Sequence, residues 1–177
     1  MADPQTDLGT AMALSPYDVA RDRALVLSWA NAPETVFWLT GQDAPITGDD
    51  LDAWHRAGTV MAWMMLRQGH PVGYGELHLH GDQRYLQLVR LLVEPAHRQQ
   101  GVGRSLVRAL VAQARALQPD WRIYARIAPG NRPALLMYPF AGLVPLEPLP
   151  PGFDPTAIWL TARDEEPAIL GGRIDDE

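Results

Sequence analysis

The stretch Arg98-Gln99-Gln100-Gly101-Val102-Gly103-Arg104-Ser105 follows an apolar run that stops at Pro95 and leads into a helical pattern, SLVRALVAQARAL. Gly101 and Gly103 remove Cβ atoms from a turn feeding a helix. The first turn of any helix leaves N–H groups without partners, and the helix dipole adds partial positive charge there. A ligand can approach such a backbone closely, and Arg98 and Arg104 add full charge. The chemistry predicted is phosphate or pyrophosphate binding; the plainer alternative is a tight strand-to-helix turn. A P-loop fails because Gly103 is followed by Arg104 instead of Lys. A dinucleotide fingerprint is weak, since Leu106 stands where a third glycine or alanine belongs and seven residues separate Val93 from Gly101.

A second set of reactive side chains lies upstream. Tyr74, Glu76, His78 and His80 alternate with Gly75, Leu77 and Leu79, so on a strand they share one face. Glu and His are the side chains most readily tuned to exchange protons near neutral pH. A solvated or hydrogen-bonded polar row is the alternative. Successive same-face residues are roughly 7 Å apart, too far for Glu76, His78 and His80 to chelate one metal ion.

The run Val93-x-Pro95-x-x-Arg98-x-x-Gly101-x-Gly103 resembles motif A of the GNAT superfamily of N-acetyltransferases. Downstream, Asn131-x-x-Ala134-x-x-x-Tyr138-x-x-x-Gly142-Leu143 is similar to its motif B. The two motifs cover roughly residues 84–145, in the family's order. The resemblance implies an acetyl-coenzyme A co-substrate, no metal, and transfer of the acetyl group to a primary amine of a small molecule or a peptide or protein N-terminus. It implies that the backbone of Leu91, Leu92 and Val93 pairs with the pantetheine arm, an N–H of Leu92 or Val93 polarising the thioester carbonyl. The amides of Gln99, Gln100, Gly101, Val102, Gly103 and Arg104 then hold the pyrophosphate, with Arg98 and Ser105 beside them. Asn131 takes the family's cofactor-side position or serves as an N-cap. Tyr138 matches the tyrosine that protonates the leaving thiolate, or is a packing aromatic.

Two departures follow. Pro139 removes a helical hydrogen bond, so the helix 133–138 is expected to end or kink at Tyr138. Many relatives carry a general-base Glu where this chain has Gln87, which cannot take a proton. Glu76 is the first candidate to replace it and His78 the second. A coenzyme A-binding module without catalysis is the rival function.

These residues need elements to hold them. Ser15 and Pro16 predict the start of a helix through Trp29, and Pro33–Leu39 and Asp49–Arg56 two further helical segments. Val60–Arg67, Pro71–His80 and Arg84–Glu94 read as an antiparallel meander. A helix follows Gly103, then a strand at Trp121–Ala128, a helix near 133–138, and strands at Leu143–Leu146 and Thr156–Ala162. The fold class expected is α/β: a mostly antiparallel, twisted, mixed sheet of six or seven strands flanked by helices. The resemblance adds one splayed parallel pair, 84–94 with 121–128, that admits the cofactor. The expected organisation is a loose leader at 1–14, one domain at 15–163 and an acidic tail at 164–177.

Composition narrows the classes. The 177 residues include no Cys, which removes disulfides, thiolate metal sites and a cysteine acyl intermediate. All 15 basic residues are Arg, so no Schiff-base lysine exists. Most of the net charge of −6 sits in the tail from Asp164, and the near-neutral remainder predicts neither a nucleic-acid nor a membrane partner. The N-terminal stretch reads poorly as a signal peptide, which makes cytoplasmic the default location. Trp29, Phe37, Trp38 and Trp54 are candidates to shape the acceptor side. The apolar, Pro-rich region near the C-terminus is the one hint of a homodimer.

Overall fold

The computed structural model describes residues 11–163. The elements run β1 (Met12–Pro16), α1 (Val19–Trp29), α2 (Pro33–Thr40), α3 (Gly48–His55), β2 (Val60–Arg67), β3 (His70–His80), β4 (Tyr85–Val93), a 3-10 turn at Pro95–His97, α4 (Val102–Leu117), β5 (Arg122–Ile127), α5 (Arg132–Phe140), β6 (Leu143–Pro145) and β7 (Ile158–Ala162). The strands form one sheet in the order β1-β2-β3-β4-β5-β7-β6. Every neighbouring pair is antiparallel except β4–β5, which is parallel. The expected mixed α/β sheet is therefore present, with seven strands.

Two elements differ from expectation. Residues 12–16 are not a leader running into a helix but an edge strand, with Met12 opposite Arg67 and Pro16 opposite Trp63. The Ser-Pro helix-start signal yields to pairing with β2, and Pro is tolerated at a strand end on the sheet edge. The true N-cap is Asp18, whose side chain accepts from the Arg21 N–H at 2.9 Å. The second difference is α5, which passes through Pro139 to Phe140 instead of stopping at Tyr138. Its last turn tightens to 3-10 bonds, Ala141 N–H to Tyr138 C=O and Gly142 N–H to Pro139 C=O, both 3.0 Å. The acidic tail beginning at Asp164 lies outside the described residues.

The sheet carries a different layer on each face. On one, the apolar stripe of α4 (Val102, Leu106, Val107, Leu110, Ala114) packs with Leu77, Leu86 and Leu88. A Cβ on Gly75 would stand 2.8 Å from Leu110 Cδ1, so the bare β3 backbone lets α4 sit close. On the other face, α1 and α3 bring Val26, Trp29 and Leu51 against Met64, Tyr74 and Leu92. Leu110 is fully buried. Leu110→Ala is expected to cost about 2–5 kcal/mol in a urea titration, from lost burial plus the cavity left above Gly75.

Candidate active site

The geometry that matters begins in β4. Tyr74 of β3 pairs with Leu92, but Glu76 pairs with Val89, so β4 carries one extra residue at this point. That bulge contains Arg90, a non-glycine residue with φ +48°. A left-handed conformation at such a residue costs about 1–2 kcal/mol. The parallel ladder to β5 ends at Leu88–Ala125, immediately before the bulge. From Val89 to Val93 the strand continues without a β5 partner while β5 turns to β7. The edge formed by Leu91, Leu92 and Val93 thus faces a gap between two splayed parallel strands. An extended ligand with amide groups can pair there as a strand would.

The glycine loop ends at the same gap. Gln99 and Gly101 have φ of +60° and +81°, two left-handed residues that swing the chain into α4. Gly101 is the N-cap of α4, and no side chain caps that terminus. By contrast α1, α3 and α5 are capped by Asp18, Thr47 and Asn131. The leading amides of α4, at Val102, Gly103 and Arg104, are therefore left for a guest anion. A Cβ on Gly101 would meet nothing nearer than Arg104 Nη2 at 3.8 Å, so backbone conformation, not crowding, requires glycine. Gly103 lies against Val93 and Met137, with ordinary contacts of 3.6 and 3.5 Å for an added Cβ. Arg98 Nε donates to the Val93 carbonyl at 3.2 Å, and Gln100 accepts from Arg67 Nη1 at 3.1 Å, which ties the loop to β4 and β2. Ser105 N–H closes the first α4 turn on the Gly101 carbonyl. These donors fit a pyrophosphate.

Asn131 is occupied as a cap, its Oδ1 accepting from the Ala134 N–H at 3.2 Å. Tyr138 is 5% exposed, packed in the α4-side core, and among the described residues its hydroxyl has no hydrogen-bond partner. Burial pushes its pKa above the ordinary phenol value, which keeps the proton on.

The β3 row does share one face, but its members differ. Glu76 is fully buried. One carboxylate oxygen accepts from the Tyr74 hydroxyl and the other from Arg90 Nη1 at 2.6 Å. Tyr74 Oη lies 2.9 Å from His55 Nε2, and the Arg90 guanidinium sits 4.3 Å above the Trp54 ring. Glu76 is thus enclosed in a network joining β3, β4 and α3. His78 is partly exposed and stands directly across from Gln87, so the two side chains point to the same face. Its ring touches His80 at 4.3 Å between centroids. Burial, and secondarily the Arg90 charge, lower its pKa below 6.5, leaving the imidazole neutral at pH 7. Sequence reasoning misses Arg90 and His55. Neither stands in a motif, and the φ of Arg90 has no sequence signal.

Cavities of about 530 and 400 Å³ open beside α1, the larger next to Glu94 and His97 and the smaller next to Tyr17 and His55. Neither reaches β5, so neither is the strand gap. Of the proposed acceptor-side rings, Trp29 is buried, Phe37 is exposed, and Trp38 approaches Gly130 at the β5–α5 turn. Among the described residues no helix is long and apolar enough to cross a membrane.

Comparison with known proteins places this geometry. Residues 23–142 match the Acetyltransferase (GNAT) family. No curated protein sequence matches significantly. Among solved structures, the fold is similar to AAC(6')-Ib bound to ribostamycin and coenzyme A, with TM-score 0.70 and 22% identity over 86% of this chain and 93% of that one. It is also similar to yncA, described as a putative acetyltransferase with its cofactor acetyl-CoA, from Salmonella typhimurium (TM-score 0.66, 20% identity, 89% and 96% covered). An acetyltransferase from Thermus thermophilus gives TM-score 0.62 at 22% identity, with 85% and 96% covered. With a family match across most of the sheet, and a splayed β4–β5 pair meeting an uncapped helix at a glycine turn, the chain belongs to the GNAT family of acetyltransferases.

Proposed function

We propose that this protein transfers the acetyl group of acetyl-coenzyme A directly to a primary amine. The observation that carries this reading is the convergence of the Leu91–Val93 edge, which has no β5 partner, with the uncapped N-terminus of α4. One offers strand-type partners to a pantetheine arm and the other N–H donors to a pyrophosphate. In the reaction the amine nitrogen attacks the thioester carbonyl carbon and the C–S bond breaks. A backbone N–H at Leu92 or Val93 stabilises the oxyanion. The thiolate takes the Tyr138 hydroxyl proton, and the amine proton passes to His78. His78 is preferred to Glu76 as base because it lies across from Gln87 and, among the described residues, its ring nitrogens have no hydrogen-bond partner, whereas both Glu76 oxygens are engaged. The chain has no Cys to carry an acyl intermediate, which favours a ternary complex.

The acceptor we infer is a small molecule or a peptide N-terminus of low positive charge. Of the carboxylates near Tyr17 and Tyr74, Asp22, Asp52 and Glu76 are paired with Arg21, Arg23 and Arg90, and Asp18 caps α1. They leave little uncompensated negative charge for a polycation. Replacement of the usual carboxylate by Gln87 favours a second reading, a coenzyme A-binding module without turnover.

A panel of primary amines assayed for free thiol released from acetyl-coenzyme A separates the two. Amine-dependent release is expected; binding without release by any amine would favour the module. Tyr138→Phe should lower kcat about tenfold or more without altering donor affinity. An unchanged kcat would remove Tyr138 from the proton path.

A further inference from the structure

The Glu76–Arg90 pair is left without a chemical task when His78 takes the proton, yet among the described residues no Arg–carboxylate pair is more buried. We propose that Glu76 and Arg90 are positioning residues: they lock the β4 bulge and so aim the Leu91–Val93 edge into the strand gap. This extends the proposed donor site and rests on it for its function, though not for its mechanics.

Four observations meet at this point. Arg90 holds φ +48°, a conformation that a residue with a Cβ keeps only where its surroundings impose it. Three contacts impose it: Nη1 on Glu76 Oε2 at 2.6 Å, the guanidinium over Trp54 at 4.3 Å, and β3 pairing on either side of the bulge. Glu76 is itself fixed, its other oxygen held by Tyr74, whose hydroxyl is 2.9 Å from His55 Nε2. Trp54 and His55 both come from α3, so this helix braces the bulge through two side chains. Buried charges persist only when paired, and here each charge has the other.

The bulge decides which way β4 faces. An extra residue inverts the pleat beyond it. Leu88 packs on the α4 side, and after the bulge Leu92 joins the α1–α3 core while Leu91 and Val93 return to the α4 side. Removing the extra residue from the left-handed region would shift the register of the three residues whose backbone lines the gap. A carboxylate on β3 that touches no substrate thereby sets the donor-binding edge of β4.

The test uses the full chain and three variants: Glu76→Gln, Arg90→Ala, and the double Glu76→Gln/Arg90→Gly. Gln keeps the size of Glu76 but not its charge, and Gly takes a positive φ without penalty. Two readouts are taken: calorimetric affinity for acetyl-coenzyme A, and amide hydrogen exchange of the peptide spanning 89–93 without donor. Both single variants are expected to bind about tenfold more weakly or worse and to exchange faster in that peptide, at unchanged protection of α4. The double variant is expected to recover affinity to within about threefold of the parent, because glycine supplies the bulge conformation without the ion pair. Parent-like behaviour of Glu76→Gln in both readouts would overturn the lock. So would a folded double variant no better than Glu76→Gln. Should the unmodified protein fail to bind acetyl-coenzyme A, the proposed function falls, and exchange in the 89–93 peptide alone decides the lock.

Discussion

Gly101→Val is expected to weaken acetyl-coenzyme A binding by about a hundredfold while the fold survives. The residue sits at φ +81° with open space around its missing Cβ. Valine would fit sterically with its neighbours yet not hold that φ, since a β-branched residue in the left-handed region is a severe outlier. The loop must then relax, and relaxation turns the Val102 and Gly103 amides away from a common anion. Losing one or two hydrogen bonds to a charged group, at about 1.5–3 kcal/mol each, gives the expected loss of affinity. Stability should fall by no more than about 2 kcal/mol, the cost of one residue with a Cβ in the left-handed region. Gly103→Ala serves as the contrast. Its added methyl meets Val93 and Met137 at ordinary distances, so near-parental affinity is expected. Equal loss in both variants would mean that crowding, not backbone conformation, governs the loop.

His78→Gln is the second large effect. General-base catalysis contributes about a hundred- to ten-thousandfold, and kcat is expected to fall within that range with donor affinity unchanged. The pH profile gives the sharper reading. A base must be neutral to work, and the His78 pKa is lowered from 6.5, first by burial and then by Arg90, against a smaller opposing pull from Glu76. Activity should therefore be full at neutral pH and decline only as pH falls through a midpoint below 6.5. The pKa of His80, two residues on, is also lowered from 6.5, by burial and by His78. The acid limb should accordingly survive His80→Gln and vanish in His78→Gln. A limb that persists in His78→Gln would move the base elsewhere.

The glycine loop before α4 is legible in the sequence because glycine spacing and strand-helix order are local properties. The meander strands are legible for the same reason: Val60–Arg67 and Pro71–His80 alternate or run apolar between clear turns. What sequence does not supply depends on contacts between distant residues. The Ser15-Pro16 signal reads as a helix start because nothing local reveals that β2 has a free edge for Met12–Pro16 to fill. Pro139 reads as a stop because the rescue, a 3-10 closure onto Tyr138 and Pro139, depends on the turn that follows. Glu76 reads as the better base because alternation gives the face of a residue, not its depth or its partners. One of the side chains that occupy it, Arg90, comes from β4, 14 residues away, and the other, Tyr74 of the same strand, is bonded in turn to His55 of α3. His78 ranks second on sequence alone, since the register that sets it opposite Gln87 is not visible there.

A calorimetric titration of the full chain with acetyl-coenzyme A, with coenzyme A alongside, tests the central claim most directly. One site of micromolar affinity for both, lost in Gly101→Val, is the expected result: the α4 terminus and the β4 edge would then be the donor site. Absence of binding by the folded parent protein would contradict it. The glycines would then be a turn only, and the splayed strands an inherited shape without a ligand.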